Sequence, residues 1–118
     1  MNSVQLLGNL ATDVELRDVA EDKKVATFLL AVDRGTREGG ADFVWITAWE
    51  RQGEVCGEYL AKGSRVAVEG RLKTRTWEQD GQRRDAVEVV ARRVEFLSAA
   101  NRETDGAEVI PFEAAAAS

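Results

Sequence analysis

Residues 64–77 read SRVAVEGRLKTRTW, and this stretch predicts the fold of the chain. Because successive side chains of a strand point to opposite faces, Val66, Val68 and Leu72 would share the inward face of one strand. The strand runs on toward Asp80-Gly81, a dipeptide that favours a tight hairpin turn. An alternating segment follows the turn. A long two-stranded hairpin is therefore expected in the second half of the chain.

The other face of the same strand would carry Arg71, Lys73, Arg75 and Trp77. Three cations beside a large flat ring suit a flexible polyanion with exposed bases, because the cations attract phosphates and the ring can stack on a base. The alternative is a solvated face of a half-buried strand, with Trp77 covering the end of the core. The pattern leaves both interpretations open.

A second strand is predicted at residues 43–49, where aromatic and β-branched residues follow a glycine-containing loop. Val44, Ile46 and Ala48 form a plausible core face. The opposite face is unusual because a half-exposed sheet normally alternates apolar with polar residues. Three explanations remain open, namely a second buried layer, a subunit interface or a stacking platform. The residues of that face are Phe43, Trp45, Thr47 and Trp49.

Further strands are predicted at residues 4–10, 25–32 and 92–97. Residues 15–19 are expected to extend the first strand after a turn. Gly8 lies in the middle of that strand and indicates a bulge or a bend. Residues 25–32 are apolar enough to be covered on both faces.

One helix is predicted, over residues 54–62. Val55, Cys56, Tyr59 and Leu60 would form its apolar stripe, and Gly63 would end it. We expect Cys56 and Tyr59 to fill the core.

Composition limits the possible functions. The chain has 118 residues, one cysteine and no histidine, which removes an internal disulfide, a thiolate metal cage and the commonest general base. Neither a cofactor nor a metal is expected, no catalytic constellation is evident, and an enzyme is not predicted. No apolar run approaches the length of a spanning helix, so no membrane association and a cytoplasmic location are expected.

The net charge of −5 argues against binding to nucleic acid, but its distribution weakens that argument. Residues 99–118 hold one cation and four carboxylates, so three of the five excess negative charges lie there. Residues 62–84 hold seven cations and three carboxylates, a local balance of +4. Because salt screens charges beyond about 8 to 10 Å, a compact basic stripe can act despite a negative total.

Together these segments predict an all-β fold, a five-stranded OB-fold barrel with one short α-helix between strands 3 and 4. Residues 1–98 would form the domain, and residues 99–118 a disordered, acidic C-terminal tail. In such barrels the middle strands and the loops beside them commonly carry the ligand, so Arg34 and Arg37 in the loop before residue 43 are also candidates.

Several linked motifs resemble the bacterial single-stranded DNA-binding proteins. They are Asn2-Ser3-Val4, Leu7-Gly8-Asn9-Leu10, Asp13-Val14-Glu15-Leu16-Arg17, Val25-Ala26-Thr27-Phe28, Glu58-Tyr59-Leu60-Ala61-Lys62-Gly63, Val68-Glu69-Gly70-Arg71-Leu72 and Arg75-Thr76-Trp77. The resemblance covers residues 1 to about 98 and implies an OB-fold subunit, usually in a homotetramer. It also implies binding of single-stranded DNA with little sequence preference in replication, recombination and repair, hence a nucleoid-associated protein.

By position, the resemblance assigns Trp77, Phe43 and Trp49 to stacking and Arg71, Lys73 and Arg75 to phosphate contacts. The chain departs from the family at Thr36, where an aromatic is frequent, and at Trp45, where a polar or basic residue is usual. Trp45 is nevertheless retained among the candidate nucleic-acid-binding residues.

The last residues contain Ile110-Pro111-Phe112, which is similar to the family's acidic tip that docks onto replication and repair proteins. Here six residues follow Phe112, so it carries no free carboxylate. The match is either accidental or a partner-binding tip that acts weakly or needs trimming. A specialised paralogue, such as a primosomal assembly factor acting mainly through protein contacts, is the alternative function.

Overall fold

The computed structural model describes residues 1–21 and 23–97. The predicted tail, with its Ile110, Pro111 and Phe112 partner site, lies outside the described residues. Six strands and one helix occur in chain order, namely β1 (Val4–Leu10), β2 (Glu15–Ala20), β3 (Lys23–Asp33), β4 (Ala41–Trp49), α1 (Glu50–Tyr59), β5 (Arg65–Gln79) and β6 (Gln82–Phe96).

The strands form a closed barrel. Their order is β1-β5-β6-β4-β3-β2, and β1 also pairs with β3 to complete the ring. All neighbours are antiparallel except β4 and β6, which are parallel. Closure removes exposed sheet edges around most of the ring. The predicted all-β barrel of the OB class is confirmed, with its helix between β4 and β5.

The predicted first strand is divided in two. β1 pairs with β3 at Asn9 and Leu10, and β2 continues along β3 from Glu15. Between them, the Thr12 hydroxyl accepts a hydrogen bond of 3.1 Å from the backbone N–H of Leu29. Residues 15–20 thus extend the line of β1 after a turn, as expected, but as a separate strand. Counting β1 and β2 as one gives the five strands of the prediction.

The core lies inside this ring and is made of aliphatic side chains and one phenylalanine. Phe28, Leu30, Ile46 and Val66 are fully buried. On the other face of β3, Thr27 and Leu29 are only half-buried, so the expected cover on both faces is incomplete. Gly8 shows no bulge, since the register of β1 with β5 runs unbroken from Val4 to Asn9. A Cβ at Gly8 would collide with the carbonyl oxygen of Ala31. Of the two predicted roles, the bend fits Gly8 better, because it lies where the pairing of β1 changes from β5 to β3.

The helix begins and ends earlier than predicted, at Glu50 rather than residue 54 and at Tyr59 rather than residue 62. Its first turn contains no apolar side chain, so periodicity did not reveal it. That turn packs through its backbone, because a Cβ at Gly53 would lie 3.2 Å from the backbone nitrogen of Ala26. Leu60 is already extended, with φ −104° and ψ 148°.

The two predicted core residues of the helix differ in outcome. Cys56 is fully buried, as expected, whereas Tyr59 is 59% exposed and the prediction for it was wrong. Tyr59 is the last residue of the helix. Its ring meets only the Phe96 ring among the aromatic side chains of the described residues, with centroids 6.4 Å apart.

Burial raises the pKa of the Cys56 thiol from 9.0 to about 12. As the pH rises above 9, the unfolded chain loses this proton first, so the free energy of unfolding falls until the pH reaches the folded value. The slope from this group is at most about 1.4 kcal/mol per pH unit. We expect urea midpoints of the natural chain to fall more steeply between pH 8.5 and 10.5 than those of Cys56→Ala. Parallel curves would contradict this.

Candidate nucleic-acid interface

The hairpin formed by β5 and β6 extends beyond the barrel at its turn. Residues 71–90 are called the arm here, and its base, at residues 88–90, still pairs with β4. Every residue from Arg71 to Gln79 is exposed. Leu72 is 46% exposed, so the prediction that it faces the core with Val66 and Val68 was wrong, because this part of β5 extends past the core. The turn at Asp80 and Gly81 has positive φ values of 54° and 77°, which match the turn type expected for that dipeptide. The barrel part and the arm part of the hairpin meet at a register shift between Glu69 and Gly70.

The strand register places the predicted residues on one side of the barrel, called here the outer face. Directly paired residues of neighbouring strands share a face, so each row of partners can be followed across the sheet. One row contains Leu29, Trp45, Glu88 and Lys73. The next row contains Glu15, Thr27, Thr47, Val90 and Arg71. Side chains of β4 and of the arm therefore form one continuous surface.

Three aromatic side chains of β4 are exposed on this surface. The exposed fractions are 60% for Phe43, 46% for Trp45 and 38% for Trp49, whereas Ile46 and Ala48 on the other face are fully buried. Thr47, between two tryptophans, is buried. No second layer of the described chain covers these rings. The buried-layer explanation is excluded for the single subunit, and an interface or a stacking platform remain.

The surface is long as well as aromatic. Trp49 begins it at the end of β4, next to Val25 and Arg17 in its row. Moving toward the arm, Trp45 and Lys73 come next and Trp77 lies near the hairpin tip. Trp77 is 40% exposed. Eight residue steps of about 3.3 Å separate the rows of Trp49 and Trp77, a path of about 26 Å.

Arg75 contacts groups on both sides of it. Its guanidinium carbon lies 5.2 Å from the centre of the Trp77 ring, which is within the range of a cation–π contact. Its Nε lies 3.9 Å from a carboxylate oxygen of Glu88. That distance exceeds a hydrogen bond, so the pair is a loose ion pair. Arg75 lies over one face of the Trp77 ring, and the opposite face has no aromatic or cation–π contact with another described residue.

The remaining predicted cations differ in whether a carboxylate neutralises their charge. Among the described residues, Arg71 and Lys73 form no ion pair. Arg34 donates from Nε to a carboxylate oxygen of Asp42 at 3.1 Å, so its charge is partly neutralised. Arg37 is exposed in the same loop, near the positive-φ residues Gly39 and Gly40.

Sequence reasoning missed three polar residues on this surface. Glu88 lies directly opposite Lys73, Arg84 lies opposite Trp77, and Glu15 lies on β2 opposite Thr27. The hairpin turn contained the signal for two of them. A two-residue turn at Asp80-Gly81 pairs Gln79 with Gln82, and counting back from it pairs 77 with 84 and 73 with 88. The position of Glu15 depends on the pairing of β2 with β3, whose register shifts between Asp18 and Ala20, so counting back from their connection does not give its partner.

The described residues contain no group of three or more carboxylates and cysteines placed to hold a metal ion. No helix within them is long and apolar enough to cross a membrane.

The chain is similar in sequence to known proteins. The profile of the single-strand binding protein family matches residues 1–97. A Clostridium tetani protein named single-stranded DNA-binding protein is 40% identical over 113 residues, which cover 92% of this chain and 78% of that protein. Single-stranded DNA-binding protein A of Bacillus subtilis is 45% identical over 108 residues, 86% of this chain. The match spans 62% of the Bacillus protein, and 58% of a Treponema pallidum relative.

Proposed function

Because this chain belongs to the single-strand binding protein family, we propose that it binds single-stranded DNA with little sequence preference, protecting the strand in replication, recombination and repair. One observation carries the proposal. Exposed aromatic rings of β4 and unpaired cations of the arm lie on the same face of the barrel, in rows fixed by strand pairing. Aromatic faces accept any base, and cations follow the backbone that all sequences share.

The geometry suggests how the strand would run. Bases would stack on Trp49, Phe43 and the open face of Trp77, while Arg71 and Lys73 contact phosphates between them. The path of about 26 Å corresponds to about eight nucleotides at the duplex spacing of 3.4 Å per strand. That number falls within the roughly 4 to 16 nucleotides that one OB fold binds.

We also propose that the subunits associate, as a homotetramer by family resemblance. Two features of β1 support self-association. Its residues from Val4 to Gly8 pair with β5 on one side and with no described strand on the other, and Leu7, one of these residues, is 47% exposed. Binding of chromosomal single strands would place the protein at the nucleoid, in the cytoplasm.

The proposal predicts fluorescence quenching that depends on salt. All three tryptophans lie on the outer face, so titration with a dT oligomer of 12 nucleotides should quench their emission. If about four phosphates are neutralised, the logarithm of the association constant should fall with the logarithm of salt concentration at a slope near −3, about −0.7 for each phosphate.

Duplex DNA of the same length is the control. Its bases are stacked within the helix, so it should quench little at the same salt concentration. Absence of quenching by the single strand at low salt, or equal affinity for the duplex, would refute the proposal.

A further inference from the structure

The outer face contains a cleft of about 190 Å³ where β2, β3, β4 and the arm meet. Its lining includes Trp45, Thr27 and Arg75. Two carboxylates, Glu15 and Glu88, also line it. A surface that binds a polyanion has no use for carboxylates as phosphate contacts, because like charges repel. These two groups therefore need another explanation.

Glu88 is the better placed of the two. Its side chain is 17% exposed, far less than the carboxylates in the other ion pairs of the described residues. Its strand neighbours are Trp45 on one side and Lys73 on the other. A structural role as the counterion of Arg75 is incomplete, since 3.9 Å is beyond hydrogen-bonding distance. Both groups retain capacity for a further polar partner.

We propose that this cleft takes one nucleobase of the bound strand and favours a base with an exocyclic amino group, cytosine above thymine. The inference rests on the proposed function and adds a selective position to an otherwise tolerant path. Trp45 would stack on the ring, and the carboxylates would accept hydrogen bonds from the amino group.

The size and the chemistry of the cleft both fit a pyrimidine. An engineered cavity of about 150 Å³ holds benzene, a ring of similar size. An ionised carboxylate only accepts hydrogen bonds. Cytosine offers an N4 amino donor at the position where thymine has the O4 acceptor, and Glu is a recognised acceptor for that amino group. Thymine O4 directed at Glu88 or Glu15 would meet repulsion instead.

Oligomers of 12 nucleotides test this by fluorescence anisotropy of a 5′ label at pH 8 and fixed salt. Cytosine, 5-methylcytosine and thymine homopolymers are compared, because 5-methylcytosine and thymine share the methyl group and differ only in the 4-substituent and in the proton at N3. The natural chain should bind both cytosine forms about tenfold more tightly than thymine, near the lower end expected for one base contact.

Glu88→Gln removes the charge and supplies an amide N–H that can donate a hydrogen bond to thymine O4. We expect both affinities to rise because a negative charge is lost, and the preference for cytosine to fall below about twofold. Glu78→Gln is the matched control. It removes a carboxylate from the opposite face of the same hairpin, on β5, where Glu78 pairs with Arg83, and should leave the tenfold preference intact.

The outcomes separate this inference from the proposed function. Equal affinity of the natural chain for cytosine and thymine oligomers would overturn the selective cleft and leave single-strand binding standing. A preference that persists in Glu88→Gln would overturn the assignment to Glu88. Failure to bind any of the oligomers would overturn the proposed function itself.

Discussion

Gly70→Ala is expected to lower the free energy of unfolding by about 3 kcal/mol or more, at the upper end of the cost of overpacking. A Cβ at this position would collide with the carbonyl oxygen of Val90. It would also lie 2.9 Å from the Val90 carbonyl carbon and 3.0 Å from the Cα of Ala91. These obstacles are backbone atoms of β6, so no side chain can rotate away. The strands must separate, and urea denaturation monitored by circular dichroism would measure the loss.

Gly57→Ala is the matched control for Gly70→Ala. Gly57 lies in α1, and a Cβ there would meet only a side chain, with Leu16 Cδ2 at 3.4 Å as the nearest atom. Alanine favours the helix over glycine by about 1 kcal/mol, so this variant should be as stable as the natural chain or slightly more stable. Equal destabilisation by both substitutions would show that close backbone approach is not the reason for glycine at position 70.

The position of Gly70 also connects stability to function. It lies at the register shift where β5 leaves the barrel and the arm begins, and Arg92 is the unpaired extra residue on the opposite strand. This shift sets the direction in which Arg71, Lys73 and Arg75 project. The fraction of Gly70→Ala molecules that remains folded should therefore also bind single-stranded DNA less tightly.

Local patterns predicted most of the fold. Alternation in residues 64–77 and the Asp80-Gly81 turn together predict the longest hairpin and its register from Gly70 to Gln79, but not the register shift between Glu69 and Gly70. Alternation also separated Ile46 and Ala48 in the core from Trp45 and the other exposed rings of β4. These features depend on neighbours in sequence or on a single tight turn, so a pattern of period two is sufficient to reveal them.

Features that depend on tertiary contact were not predicted. The first turn of α1 packs through the backbone of Gly53, which leaves no apolar signal. Tyr59 fits the apolar stripe of the helix by spacing, yet it is exposed at the last residue of the helix. In the candidate site, the aromatic and cationic residues could be predicted from residue type. Glu88 could not, because a carboxylate in a strand is usually solvent-exposed, and only the strand register shows that Glu88 lies beside Trp45.

Trp77→Ala and Trp49→Ala should each weaken binding of a 12-nucleotide single strand by about 5- to 150-fold. The expected loss follows from the roughly 1 to 3 kcal/mol that stacking of one base on an aromatic ring contributes. Both rings are exposed, at 40% and 38%, so their removal creates no core cavity and the fold should persist. Fluorescence anisotropy of labelled DNA is the appropriate measurement, because each variant also removes an emitting tryptophan.

Two comparisons distinguish stacking from a general loss of surface. Trp77→Phe retains an aromatic face and the partner of Arg75, so it should recover most of the affinity that Trp77→Ala loses. Tyr59→Ala removes a ring that is even more exposed but lies on α1, away from the outer face, and should bind DNA as the natural chain does. If Tyr59→Ala weakened binding as much as Trp77→Ala, or if neither tryptophan variant lost more than twofold, the rings of β4 and the arm would not be a stacking platform. Their exposure would then favour the other explanation that the single subunit leaves open, a contact between subunits.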